Sequence, residues 1–141
     1  MAFLRLTLLV LIISGCVENS PRPVSRAELI AGTDEFGKTY QVNEIEIELG
    51  TVTPHKCVTD NFITYYPNGT YEINEGATKC DPNDPPGMLG VWHMNDSQTQ
   101  LFVDIQDNTQ VWEIEETTSD QHRISSVFKE GHRIYTFTLS R

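Results

Sequence analysis

The chain has 141 residues, with 20 acidic against 10 basic side chains and a formal net charge of −10. This length fits one domain of ordinary size, large enough to bury a core. So acidic a surface repels nucleic acid and anionic headgroups, which excludes both as expected partners and fits solubility in a crowded compartment.

The chain begins Met-Ala-Phe-Leu-Arg and continues in an apolar run from Leu6 to Ile13. One cation followed by a short apolar core is the pattern of a secretory signal. The run is shorter than the roughly 20 apolar residues that span a bilayer. It ends in Ile13-Ser14-Gly15-Cys16, which resembles the lipobox of bacterial lipoproteins. There an aliphatic and two small residues precede a cysteine whose thiol takes a diacylglycerol. The resemblance implies that residues 1–15 are a signal peptide, that Cys16 is lipidated, and that the mature protein meets the membrane through that lipid. No later stretch is apolar enough to span a bilayer, so the attachment rests on acyl chains of the palmitate type, two or more for stable anchoring. Val17, not aspartate, follows Cys16. By analogy with the Gram-negative sorting code, this points to the outer membrane.

Residues 16–24 are polar and contain two prolines, and they read as a tether. Ser25 to Gly32 predicts a short helix, with Ser25 as N-cap, Glu28 completing a capping box and Gly32 as the stop. From Lys38 onward apolar and polar residues alternate. Tyr40 and Val42 share one phase; Ile45, Ile47 and Leu49 share the other, opposite Glu44, Glu46 and Glu48. The phase change near Asn43 predicts a β-bulge in a first strand over 38–49. Residues 62–66 and 70–74 flank Pro67-Asn68-Gly69, a hairpin signal in which Asn-Gly admits positive φ at both turn positions. A proline-rich loop over 80–87 follows. Strands are then predicted at 89–94, 100–105, 111–116, 122–128 and 132–140, separated by turns at 95–97, 107–109, 119–120 and 130–131.

Eight short strands joined by short turns are antiparallel neighbours. Such a sheet leaves exposed edges unless it closes or splits. The fold class is therefore all-β: a small eight-stranded up-and-down barrel over residues 25–141, with a β-sandwich as the alternative.

With Cys16 assigned to lipid, Cys57 and Cys80 remain. An even pair in an exported chain suggests a disulfide; two thiols or a metal pair are the alternatives. The stretch from Cys57 onward resembles the lipocalin-like domains of bacterial lipoproteins. The residues that carry this are Cys57-Val-Thr-Asp60-Asn, Tyr66-Pro-Asn-Gly-Thr-Tyr71, Gly76-Ala-Thr-Lys-Cys80-Asp81 and Gly90-Val-Trp92, with Leu29-Ile-Ala-Gly and Lys38-Thr-Tyr40 upstream. The resemblance covers most of the mature chain. It implies a lipocalin-like barrel with Cys57 and Cys80 bridged. The N-terminal Gly-x-Trp signature of the classical lipocalins is missing.

No nucleophile elbow, phosphate loop or zinc-protease motif occurs, so no catalytic residue, metal or cofactor is expected. His122 and His132 fall at opposite ends of the last hairpin and read, with His55 and His93, as solvated turn residues. Asp81, Asn83 and Asp84 offer oxygens that suit calcium but are also ordinary loop formers. Glu113, Glu115 and Glu116 read as a solvated strand face. Asn68-Gly-Thr and Asn95-Asp-Ser match a glycosylation pattern yet read better as turns. The apolar faces of Trp92, Leu101, Val103, Ile105, Trp112, Ile114, Tyr135, Phe137 and Leu139 are either packed core or, for Trp92, Leu101, Val103, Trp112, Ile114, Tyr135 and Phe137 above all, the lining of a pocket for a small hydrophobic ligand. Two readings of function follow: a membrane-anchored binding module, or a filled barrel serving as an interaction subunit of the cell envelope.

Overall fold

The computed structural model describes residues 21–128 and 131–140. Helix α1 (Arg26–Ala31) forms through the expected capping box: Ser25 Oγ accepts from the Glu28 N–H at 3.1 Å, and the Glu28 carboxylate accepts from the Ser25 N–H at 2.9 Å. Two backbone donors left over at a helix start are thereby satisfied. Gly32 ends the helix at φ +75°, a conformation that suits glycine.

Strand β1 (Lys38–Ile47) then runs the length of the molecule. A short β2 (Gly50–Val52) folds back on it, and one turn of helix, α2 (Lys56–Thr59), leads into β3 (Phe62–Tyr65). The rest is a meander of β4 (Thr70–Asn74), β5 (Gly87–Met94), β6 (Gln100–Ile105), β7 (Asn108–Thr117), β8 (Gln121–Phe128) and β9 (Gly131–Leu139). Every pairing is antiparallel.

β1 pairs with β9 from Tyr40↔Leu139 to Ile47↔Arg133, so the sheet closes on itself. All eight expected strands are in the wall, and the closure decides for the barrel over the sandwich. β2 is an addition outside that set. On its other edge β1 pairs with β3 only over Lys38–Tyr40, and with β2 over Ile45–Ile47. α2 follows β2 at that parting of partners. The expected bulge lies between Val42 and Glu44, with Asn43 exposed. Inserting one residue moves Ile45 and Ile47 to the side already held by Tyr40 and Val42. A second bulge, between Ile114 and Glu116, was not expected.

Three local readings need correction. Leu49 is 96% exposed and lies past the end of β1, because the chain turns back into β2 at Gly50. At Pro67-Asn68-Gly69 only Gly69 takes positive φ (+85°); Tyr66 O accepts from the Gly69 N–H at 3.0 Å, as in a three-residue hairpin loop. The turn placed at 107–109 sits one residue earlier, on Gln106 and Asp107, both with positive φ.

Helix α1 closes one end of the barrel. The Gln98 side chain, from the β5–β6 turn, accepts from the Arg26 N–H at 2.7 Å. Lys38 Nζ donates to Leu29 O and to Ser119 O of the β7–β8 turn, each at 2.8 Å. The other end carries the β1–β2 hairpin, α2, the long β4–β5 loop and the Gln106–Asp107 turn.

Candidate functional site: the barrel interior

Alternation along each strand sends every second side chain inward. The inward residues differ by height. Near α1 they are sealed: Tyr40, Tyr65, Leu101 and His122 are at most 1% exposed, and Ile30 and Ala31 of α1 lie on them. Trp92 closes the same end, its Nε1–H donating to Tyr66 O at 2.9 Å. Toward the other end Ile45, Ile73, Ile105, Trp112 and Tyr135 pack against this core yet stay only partly buried. Trp112 and Tyr135 meet edge to face, with ring centroids 5.4 Å apart. The interior is thus a packed floor beside α1 and, away from it, a less covered apolar half, the cup.

The expected pocket residues divide accordingly. Trp92, Leu101, Val103, Ile114 and Phe137 are buried in the floor, and Trp112 and Tyr135 stand in the cup. Sequence reasoning missed Tyr40, Tyr65 and His122 of the floor, and Ile45 and Ile73 of the cup. Their common signal is phase, since each alternates with a polar neighbour on the same strand.

His122 corrects the largest misreading. It was expected on a solvated turn and is 0% exposed, ringed by Tyr40 (centroids 4.7 Å), Tyr65 (5.3 Å) and Phe137 (4.7 Å). It shares the inward phase of Ile124, so its position at the strand start does not bring it to water. Neither ring nitrogen has a hydrogen-bond partner. Burial disfavours the imidazolium and pushes the histidine pKa down to about 3. Burial likewise raises the phenols of Tyr40, Tyr65 and Tyr71, keeping them neutral. His55, His93 and His132 are exposed.

At the cup's rim α2 is strapped to the β4–β5 loop. Cys57 and Cys80 are bridged, with Cα atoms 5.1 Å apart. Asp60 Oδ2 accepts from the Thr78 N–H at 3.0 Å, and Asn61 Oδ1 accepts from the Gly76 N–H at 2.9 Å. A Cβ at Gly76 would lie 2.3 Å from Asp60 O, so the strap needs glycine there. Val58 of α2 packs on the core below.

The remaining candidates have local roles. Asp81 Oδ1 accepts from the Asn83 N–H at 2.8 Å, and the Asp81 N–H donates to Asp84 at 3.0 Å, so these oxygens serve a turn. Asn68 and Asn95 each accept from backbone two to five residues on. Glu113, Glu115 and Glu116 are exposed, and Glu115 accepts from Ser125 Oγ. Among the described residues no helix is long and apolar enough to cross a membrane. Cys16, the signal segment and the start of the tether lie outside the described residues.

No protein-family model matches the chain, and no curated protein is significantly similar in sequence. Its fold is similar to that of a crystal structure of a lipocalin-like protein from Bacteroides uniformis. The TM-score is 0.52 at 9% identity, and the match covers 74% of this chain and 98% of that one. The barrel is lipocalin-like in fold. This likeness is one of fold and carries no residue roles, since fold alone assigns none.

Proposed function

We propose that the protein is an exported lipoprotein, anchored through Cys16, whose lipocalin-like barrel holds one small apolar or amphipathic molecule in its open half. The observation that carries this reading is the incomplete burial of part of the interior. Tyr40, Leu101 and Phe137 are buried, while Ile45, Ile73, Ile105, Trp112 and Tyr135, packed on the same core, are only partly buried. Apolar surface left accessible in a concavity is what a hydrophobic ligand covers. In this reading the protein binds and does not catalyse. The lipobox-like Ile13-Ser14-Gly15-Cys16 supports the anchor, and Val17 supports the outer membrane.

The test uses the two tryptophans, which sit at different heights. Titration with fatty acids and hydrophobic dyes is expected to change tryptophan emission in Trp92→Phe, where Trp112 remains. Trp112→Phe is expected to be silent. A panel that moves neither signal, or only that of Trp92, overturns the reading.

One observation favours a second reading, that of an interaction subunit. The outer wall of β5–β7 exposes Leu89, Val91 and Val111 beside a His93–Phe102 stack at 4.8 Å. Exposed apolar patches mark contact surfaces. If a protein co-purifies with the chain and is lost in Val91→Asp, this wall and not the cup is the working surface.

A further inference from the structure

His122 joins the centre of the barrel to the helix that closes it. Its ring packs at 4.7 Å on Tyr40, and the Tyr40 hydroxyl donates to Ile30 O at 2.9 Å and to Leu29 O at 3.3 Å, both in the last turn of α1. The titratable groups facing the imidazole are phenols: Tyr40 from β1 and Tyr65 from β3, with Tyr71 of β4 behind Tyr65 at 5.0 Å. β9 contributes Phe137, and the residue paired with His122 on β7 is Thr117. Asp120, in the β7–β8 turn, acts on Tyr40. The imidazole nitrogens have no partner in this cage. A proton taken up there creates a buried cation among aromatic rings, with no carboxylate bonded to it. Such a charge is stable only once water reaches it.

We propose that His122 is a proton-operated latch: its protonation drives the Tyr40 ring aside and releases helix α1 from the closed end of the barrel. The proton comes from solvent and rests on an imidazole nitrogen of the opened form. The route to water runs past Tyr40 because, of the rings that cage His122, it is the one hydrogen-bonded to α1, a short helix outside the wall. The latch does not depend on a ligand in the cup.

The sign follows from linkage. With α1 docked the histidine stays neutral down to about pH 3. With α1 open it returns toward its ordinary value of 6.5. The closed form is therefore fully favoured above pH 6.5 and loses about a factor of ten per unit as the pH falls below it. Between pH 7 and pH 5, above most carboxylate titrations, the opening equilibrium is expected to rise about 25-fold.

Amide hydrogen exchange of the full chain in mild detergent, corrected for the intrinsic rate, measures this opening. The reporters are the Leu29 and Gly32 amides, bonded to Ser25 O and Glu28 O, set against Leu101 and Val103 of β6. The latch predicts that the α1 amides open more readily than those of β6, that their opening rises about 25-fold from pH 7 to pH 5, and that His122→Phe removes the rise. Three results overturn it: α1 opening that is flat with pH, one opening constant shared by α1 and β6, or a pH dependence that survives in His122→Phe. If His122→Phe does not fold, the ring signals of His122 in the unaltered protein decide. Titration near pH 6.5 with α1 docked refutes the latch, and an imidazole neutral at pH 5 in the docked state supports it.

Discussion

Gln106 and Asp107 join β6 to β7 with φ of 50° and 64°. Two consecutive left-handed residues make the turn whose twist matches a hairpin, and asparagine followed by glycine fits it best. Gln106→Asn combined with Asp107→Gly is expected to raise stability by about 0.5–1 kcal/mol, read as an increase in the urea midpoint with an unchanged slope. The opposite case is Leu101, fully buried in the barrel floor. Leu101→Ala is expected to cost about 2–5 kcal/mol in the same measurement, as its neighbours cannot collapse into the space. Single residues were also where the sequence misled. His122 reads as a solvated turn residue from its place at the far end of the last hairpin. What decided its fate was the ring cluster of Tyr40, Tyr65 and Phe137 from three other strands, which no local pattern reveals.

Among elements, those with a period or a cap were legible. The capping box of α1, the hairpin at Gly69 and the bulge at Asn43 are written in adjacent residues, so local chemistry sufficed. α2 and β2 were not legible, because one turn of helix and a three-residue strand carry no measurable period. They exist because β1 changes partner half-way along its edge, which is a tertiary event. The bulge at Ile114/Glu116 escaped for a related reason: Trp112 and Ile114 keep one phase, and the shift shows only in the pairing with β8. The Cys57–Cys80 bridge, implied by family resemblance, is present and ties α2 to the β4–β5 loop. Replacing both cysteines by serine is expected to cost roughly 2–5 kcal/mol. Gly76→Ala, which drives a methyl into Asp60 O, is expected to loosen the same strap with the bridge intact. Faster exchange at the Thr78 amide, which donates to Asp60, is the readout.

For the molecule as a whole, strand count and turn spacing were enough to name an eight-stranded barrel. They were not enough to say how full it is. That depends on the sizes of side chains meeting from opposite walls, and those meetings are non-local. The residues named from the sequence as pocket or core therefore span both the packed floor and the half that is only partly buried. The proposed membrane anchor has its own test: cells fed labelled palmitate are expected to label this protein, and Cys16→Ser to abolish the label. Retention of label in that variant would place the lipid elsewhere. The closure of the wall has a consequence for the chain's own history. β1 finds its longest partner in β9, with Tyr40 opposite Leu139. A chain made from its N-terminus holds one edge of its first long strand open until β9 has been made. Until then there is no barrel and no interior. Loops of this span close slowly, so a newly made chain passes through a period as a loose meander, the form in which a polypeptide can still be threaded through a membrane pore.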